Sequence, residues 1–319
     1  MAVDTSVRQQ AVSVAAEKRR KRRVLLKKYR ILYLIMSVIV LYYIIFHYIP
    51  IVMGVTISLK DMKIGNTIFN APFVGLQNYK TIFANPQIVG TIKNTIWLSV
   101  LRLVWGFWPP IILAIFIFDV VSPRFKKACQ TIVYIPHFFS WVVIYGIVFA
   151  FFSGNGFINQ LLKRIGMDNI PFMTSNAYFR SLLIGSQIWK GVGWGTILYF
   201  AAMTGINPEL FDACKIDGAG PIRRIMAVIL PAITPVILFN LIMSLGNILN
   251  NDFEQVLLFY NPTVYQVGDI IDTWVYRVGL GQRQYGIGAA VGLLKAVVGF
   301  ILIIGSNTLS RRVTGRSLW

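Results

Sequence analysis

The run KRRKRRVLLKKYR at Lys18–Arg30, followed by ILYLIMSVIVLYYIIFHYIPIVMGVTISL at Ile31–Leu59, decides in which solvent this chain folds. A bilayer core about 30 Å thick asks a helix for about 20 consecutive apolar residues. The block from Ile31 exceeds that length and contains no Asp, Glu, Lys or Arg. It is too long for the core of a cleaved signal peptide, and no small-residue cleavage site follows it, so it reads as a retained signal anchor. Pro50 is expected to mark where this helix bends or leaves the bilayer.

Five further blocks have the same character: Ile92–Phe118, Thr131–Phe152, Ser181–Met203, Ala232–Leu257 and Ile287–Leu309. Isolated strands would leave backbone groups unsatisfied in lipid, so each block is expected to be helical. The chain therefore reads as an all-α integral membrane protein with about six transmembrane helices. Composition agrees: 56% of its 319 residues are hydrophobic and 13% charged, where a soluble domain carries about 25% charge. No internal repeat is evident. A single transmembrane domain, 31–310, is expected between a basic N-terminal tail, 1–30, and a short C-terminal tail, 311–319.

The net charge of +19 raises the question of nucleic acid, and its placement answers it. Nine basic residues lie between Lys18 and Arg30, immediately before the first span. That is where an anionic leaflet attracts cations, so no nucleic-acid partner is expected. With the N-terminus inside, the inner segments hold 19 Lys and Arg. The longer outer segments hold nine, counting Lys93 at the edge of its block. The bias places both termini in the cytoplasm of a multi-pass protein. The cysteines, Cys129 and Cys214, fall in segments read as cytoplasmic, so neither a structural disulfide nor a metal site is expected. His47 and His137 stand alone in apolar segments, as packed histidines do.

Outer loops of about thirty residues each follow at Lys60–Thr91, Ser153–Arg180 and Leu258–Gly286. Within the third, the spacing over Val267–Gly279 allows a short amphipathic helix on the outer surface. The inner loop, 204–231, is more informative. It reads Asn207-Pro-Glu-Leu-Phe-Asp-Ala-Cys-Lys-Ile-Asp-Gly-Ala-Gly-Pro221 and continues to Leu230-Pro231. Asn207, Pro208 and Glu209 supply an N-cap, a proline at the first helical position and an acid at the positive dipole end. The helix should stop near Asp217-Gly218, where glycine can turn left-handed. Pro221 can start a second helix that enters the membrane.

This pattern resembles the EAA loop of binding-protein-dependent ABC importer permeases, written as EAA, two residues, DGA, then Leu-Pro about ten residues later. Asp212-Ala213-Cys214 stands where Glu-Ala-Ala is usual, while Asp217-Gly218-Ala219 and Leu230-Pro231 match. Phe73-Val-Gly-Leu-Gln-Asn-Tyr79, Tyr134-Ile-Pro-His-Phe138 and Gly292-Leu-Leu-Lys295 resemble the oligosaccharide branch, the last two most like Gram-positive permeases for polysaccharide fragments. The resemblance runs from about Leu26 to the C-terminus. It implies a type I ABC importer transmembrane domain in a bacterial cytoplasmic membrane, importing an oligosaccharide or polysaccharide fragment by alternating access. It further implies a heterodimer with a second homologous permease, two cytosolic ATPase subunits and an extracytoplasmic solute-binding protein. ATP and Mg would be bound by the ATPase subunits, with no cofactor on this chain. No GxxxxGK[ST] phosphate loop occurs in the sequence, so this chain reads as a non-catalytic subunit.

Polar side chains within spans are costly and usually face a pathway or a partner. Asn240, Ser244, Asn247 and Asn251 share one helical face of the fifth block. Asparagine both donates to and accepts from sugar hydroxyls; interhelical packing is the alternative use. Gln187, Lys190, Trp194 and Tyr199 of the fourth block are further pathway candidates. Trp105 and Trp108, beside Pro109-Pro110, are expected to pack at a helix break. Arg102, Lys190 and Lys295 lie at similar depth, where one or more can favour an anionic oligosaccharide. They can equally pair with Asp252, Glu254 or the second permease. Two other functions compete. An ion-coupled carrier would place acids within its spans, which this chain does not. A membrane-embedded glycan enzyme would need an acid pair, for which Asp269 with Asp272 is the sole candidate.

Overall fold

The computed structural model describes residues 24, 25 and 27–314; most of the basic tail and residues 315–319 lie outside the described residues. Two units divide at Ile57 and Ser58. The first holds nearly all of helix α1 (Arg30–Ser58), exposed on every residue from Ile31 to Met53. A helix apolar all round is one that lipid or another chain surrounds. It does not end at Pro50. A π-helical turn, Ile44–Tyr48, precedes the proline, and the α-helix resumes at Ile49. The wider turn re-satisfies backbone groups that the missing N–H would strand.

The second unit is helical, with only an isolated β-bridge, Lys60 to Phe73, among the described residues. Its helices are α2 (Gln77–Ala84), α3 (Pro86–Asp119), α4 (Pro123–Tyr134), α5 (Trp141–Phe152), α6 (Phe157–Arg164), α7 (Asn176–Thr204), α8 (Pro208–Ile216) and α9 (Pro221–Gly246). After these come α10 (Phe253–Phe259), α11 (Tyr265–Gly268), α12 (271–281, largely π-helical) and α13 (Tyr285–Thr314). Five helical stretches are long and apolar enough to cross a bilayer: α1, α3, the α5–α6 stretch Trp141–Arg164, α9 and α13. α7, at 29 residues, matches them in length but carries Arg180 and Lys190. Counting α7, the described residues hold six helices or helical stretches of membrane-crossing length.

Two predicted spans differ from what is observed. Thr131–Phe152 is not one helix: α4 ends at Tyr134, a 3-10 turn covers Ile135–Phe138, and the Ser140 hydroxyl caps a fresh start at α5 by accepting from Val143 N. Pro136 within the turn removes a helical donor. Ala232–Leu257 breaks as well. α9 stops at Gly246, and 247–252 is non-helical until Asp252, at φ 45, starts α10. Asparagine and aspartate side chains compete for backbone groups, which favours a break there. Conversely, α3 runs through Pro109-Pro110 without ending. Trp105 and Trp108 are 61% and 57% exposed rather than packed at a break.

α3 and α7 form the spine, packed along their lengths. Gly195 of α7 takes the Pro110 ring where a Cβ would sit under 3.0 Å from it. A first core cluster joins Leu98, Trp141, Phe179 and Phe259. A second joins Ile82, Ile88, Trp274 and Ala290. A third, near the α8 loop, joins Ile111, Tyr199, Met203 and Ile233. The segment expected as a surface helix is instead packed: Ile271, Thr273, Trp274 and Val278 of α12 are buried.

Candidate functional site

Two regions carry the predicted site residues, a loop at one end of the helices and a cavity among them. In the loop, Asn207 Oδ1 accepts from Glu209 N at 3.1 Å, so α8 is capped as its sequence dictates. Pro208 occupies the first turn and Glu209 adds an acid there. Asp212 pairs with Lys215 at 2.9 Å, both well exposed, a contact worth under about 1 kcal/mol. Ala213 and Cys214 complete that stretch, and Cys214 is a free thiol.

The corner after Asp217 is a paired-bond helix stop. Gly218 N donates to Lys215 O at 3.1 Å, and Ala219 N donates to Cys214 O at 2.9 Å, with Gly218 at φ 65. That is the Schellman arrangement, which needs a left-handed residue at this position. Pro221 then opens α9, and a π-helical turn at Ile225–Ile229 leads directly into Leu230-Pro231. Arg224 of α9 donates to Asp119 at the end of α3 at 2.7 Å. Sequence reasoning missed this tie, because its partners are 105 residues apart. Around it Leu210, Ile216, Ile222 and Met226 are at least half exposed. The loop is thus a cornered two-helix projection, fixed to α3 and presenting apolar side chains.

The cavity, about 480 Å³, lies between α3, α7 and the end of α9. Arg102, Gln187, Trp194, Tyr199, Asn240, Ser244 and Asn247 line it, and so do Ser99 and Asn250, which the sequence did not single out. Gly106, Pro110 and Gly195 keep its walls short. A second cavity of about 340 Å³ adjoins it, sharing Gly106, Pro110 and Gln187 and adding His137, Lys190 and Asp252. Trp194 stacks one face on His137 at 4.4 Å with 5° between the planes, while half of its surface stays exposed. Lys190 Nζ donates to the carbonyl oxygens of His137 and Phe139 and lies 5.4 Å from the Trp141 ring centroid.

Two predicted residues are elsewhere. Asn251 is fully buried and turned into α3, donating to Thr95 O at 3.1 Å and Ser99 Oγ at 2.8 Å. The break after Gly246 takes it off the face that Asn240 and Ser244 share. Lys295 is bound to Asp272 through both carboxylate oxygens, at 2.7 and 2.6 Å. Arg102 joins three elements. Its Nη2 donates to Gln255 Oε1, and Gln255 in turn donates to Leu183 O and Ser186 Oγ. Its Nη1 lies 3.6 Å from Asp252 Oδ2.

At the end opposite the α8 loop, Asp269 is 2% exposed and accepts from Thr273 at 2.8 Å and from Arg277. Thr91 adds a long contact from α3. Burial disfavours the Arg277 charge, but the Asp269 carboxylate outweighs it and lifts the guanidinium pKa above its ordinary value. Tyr265 lies against the guanidinium, 4.2 Å from ring centroid to Cζ. With Asp269 held by Arg277 and Asp272 by Lys295, these acids form two structural ion pairs.

Known proteins resemble this chain along nearly its whole length. Protein LplB of Bacillus subtilis (strain 168) is 37% identical over 98% of each chain. The polygalacturonan/rhamnogalacturonan transport system permease protein YteP of the same organism is 38% identical over 95% of this chain and 94% of its own. A chain in the crystal structure of a bacterial alginate ABC transporter, in complex with alginate pentasaccharide-bound periplasmic protein, superposes with a TM-score of 0.84 at 37% identity. That superposition covers 92% of this chain and 98% of the other. Residues 111–315 match the family described as "Binding-protein-dependent transport system inner membrane component", and the chain belongs to that family.

Proposed function

We propose that this chain is the membrane-spanning permease subunit of an ATP-binding-cassette importer that moves an oligosaccharide or polysaccharide fragment into the cytoplasm. One observation carries this reading: the cornered α8–α9 projection and the polar cavity occur on one helical frame, shared along nearly its full length with sugar-transport permeases. The projection, with both termini, faces the cytoplasm in this reading, as the basic residues favour. Two ATPase subunits grip it and the corresponding loop of a second homologous permease; ATP and Mg belong to those subunits. A solute-binding protein delivers sugar at the α11–α12 end. The transmembrane domain is 31–310, flanked by tails.

The mechanism follows from the geometry. Movement of the projection passes to α9 directly and to α3 through Arg224 and Asp119. Those are two helices that line the cavity. ATP can shift the cavity between outward and inward access only if the two states bind nucleotide differently. Within the cavity, Asn240, Ser244 and Asn247 can exchange hydrogen bonds with hydroxyls. The free face of Trp194 can take a sugar ring, since its other face is occupied by His137. Affinity capture of the tagged chain from native membranes tests the assembly. Recovery of a second permease, an ATPase and a saccharide-binding protein is expected; recovery of the chain without an ATPase would refute the reading.

A further inference from the structure

The charges on the walls of the two adjoining cavities do not balance. Arg102 and Lys190 face a single carboxylate, Asp252. Among the described residues, Lys190 has no carboxylate within ion-pairing distance and rests on two backbone carbonyls. Arg102 is 7% exposed, yet its Nε and Nη1 have no hydrogen-bond partner. At 3.6 Å, Asp252 compensates its charge without accepting a hydrogen bond from it. Buried donors of a cation that stay unpaired are costly, and a ligand that accepts from them removes the cost. Lys295, the other cation at this depth, is already neutralised by Asp272.

We infer that the Arg102 guanidinium is a carboxylate subsite of the transmembrane cavity, which makes this permease favour uronate-containing oligosaccharides over neutral ones. The inference rests on the transport function proposed above. A uronate carboxylate accepting from Arg102 brings the two-cavity charge from one net positive to zero, while Asn240 and Asn247 meet the hydroxyls. Asp252 stays in this balance as the resident anion and gives up only its place beside Arg102. Its side chain is 43% exposed, and it also lines the cavity that holds Lys190.

The test is ATP-driven uptake by the intact importer complex in proteoliposomes, comparing a galacturonate pentasaccharide with its carboxyl-reduced neutral counterpart. The binding protein is the same throughout, so a changed ratio reports on this chain. Arg102→Gln should lower the ratio of acidic to neutral uptake about tenfold, the worth of one charged hydrogen bond. Asp252→Asn should keep or raise the preference. Gln255→Met removes the same Arg102–Gln255 bond but leaves the guanidinium in place with one more free donor, and should keep or raise the preference. Equal loss of both substrates in Arg102→Gln, or a wild type that takes the neutral saccharide at least as fast, overturns the inference. Failure to take up any saccharide with ATP would sink the proposed function, and this inference with it.

Discussion

Gly218 is where backbone geometry and the proposed coupling meet most directly. Its φ of 65 lies in the left-handed region, and a Cβ placed there would meet nothing within 4 Å. A substitution therefore costs through conformation alone, not through collision. For an L-residue that cost is about 1–2 kcal/mol, more for a β-branched side chain and least for asparagine. No residue of α8 is buried, so little packing resists opening of the corner. Against so weak a hold, about 1–2 kcal/mol is a factor of about 5–30 in the population of the closed turn. Gly218→Val should lower coupled uptake by at least that factor, Gly218→Ala by less, and Gly218→Asn least of all. Uptake and substrate-stimulated ATP hydrolysis by the purified complex, measured with its amount in the membrane, read this out. Full uptake and full stimulation in Gly218→Val, or an order that ignores left-handed tolerance, would refute the argument.

Three other outcomes follow from contacts away from the corner. Gly193→Ala puts a methyl onto the Val133 carbonyl oxygen, so α7 and α4 must part; thermal melting in detergent should show a loss of about 1–3 kcal/mol or more, whereas Gly191→Ala, with open space, should melt like wild type. Asp269→Asn leaves Arg277 without its buried carboxylate and should cost on the order of 3 kcal/mol in the same assay, with Asp269→Ala no better. Lys295→Gln should lower the melting temperature and leave the ratio of acidic to neutral uptake unchanged, since Asp272 already engages the ammonium; a changed ratio would return Lys295 to the substrate pathway.

Apolar block length made the helical membrane architecture legible, because lipid leaves the backbone few options. The α8 corner was legible too: Asn207-Pro208 and Asp217-Gly218 act through local geometry, and local geometry is written in adjacent residues. Helix interruptions were harder. Pro50 was expected at a bend or bilayer exit and Pro109-Pro110 at a helix break, yet the helices pass through them. Pro136 with Ser140, and Asn247 through Asp252, looked like span interiors and are breaks. Each time the decision lay with the neighbours available to satisfy freed backbone groups, which composition does not show. Within the cavity, Asn240 and Ser244 followed from helical periodicity, while Asn247 lines it from just past the end of α9. The separate surroundings of Arg102, Lys190 and Lys295 did not. Their partners, Gln255, the carbonyls of His137 and Phe139, and Asp272, lie 153, 53, 51 and 23 residues away, and spacing carries no signal for such pairs.

The central claim is that a motor on the α8–α9 projection drives solute through the cavity. The most direct measurement is radiolabelled oligosaccharide accumulation in proteoliposomes containing this chain, its partner permease, the ATPase subunits and the binding protein. Accumulation should require internal ATP and stop when the ATPase is omitted or cannot hydrolyse. Equal accumulation by the two permeases alone, without nucleotide, would contradict the account.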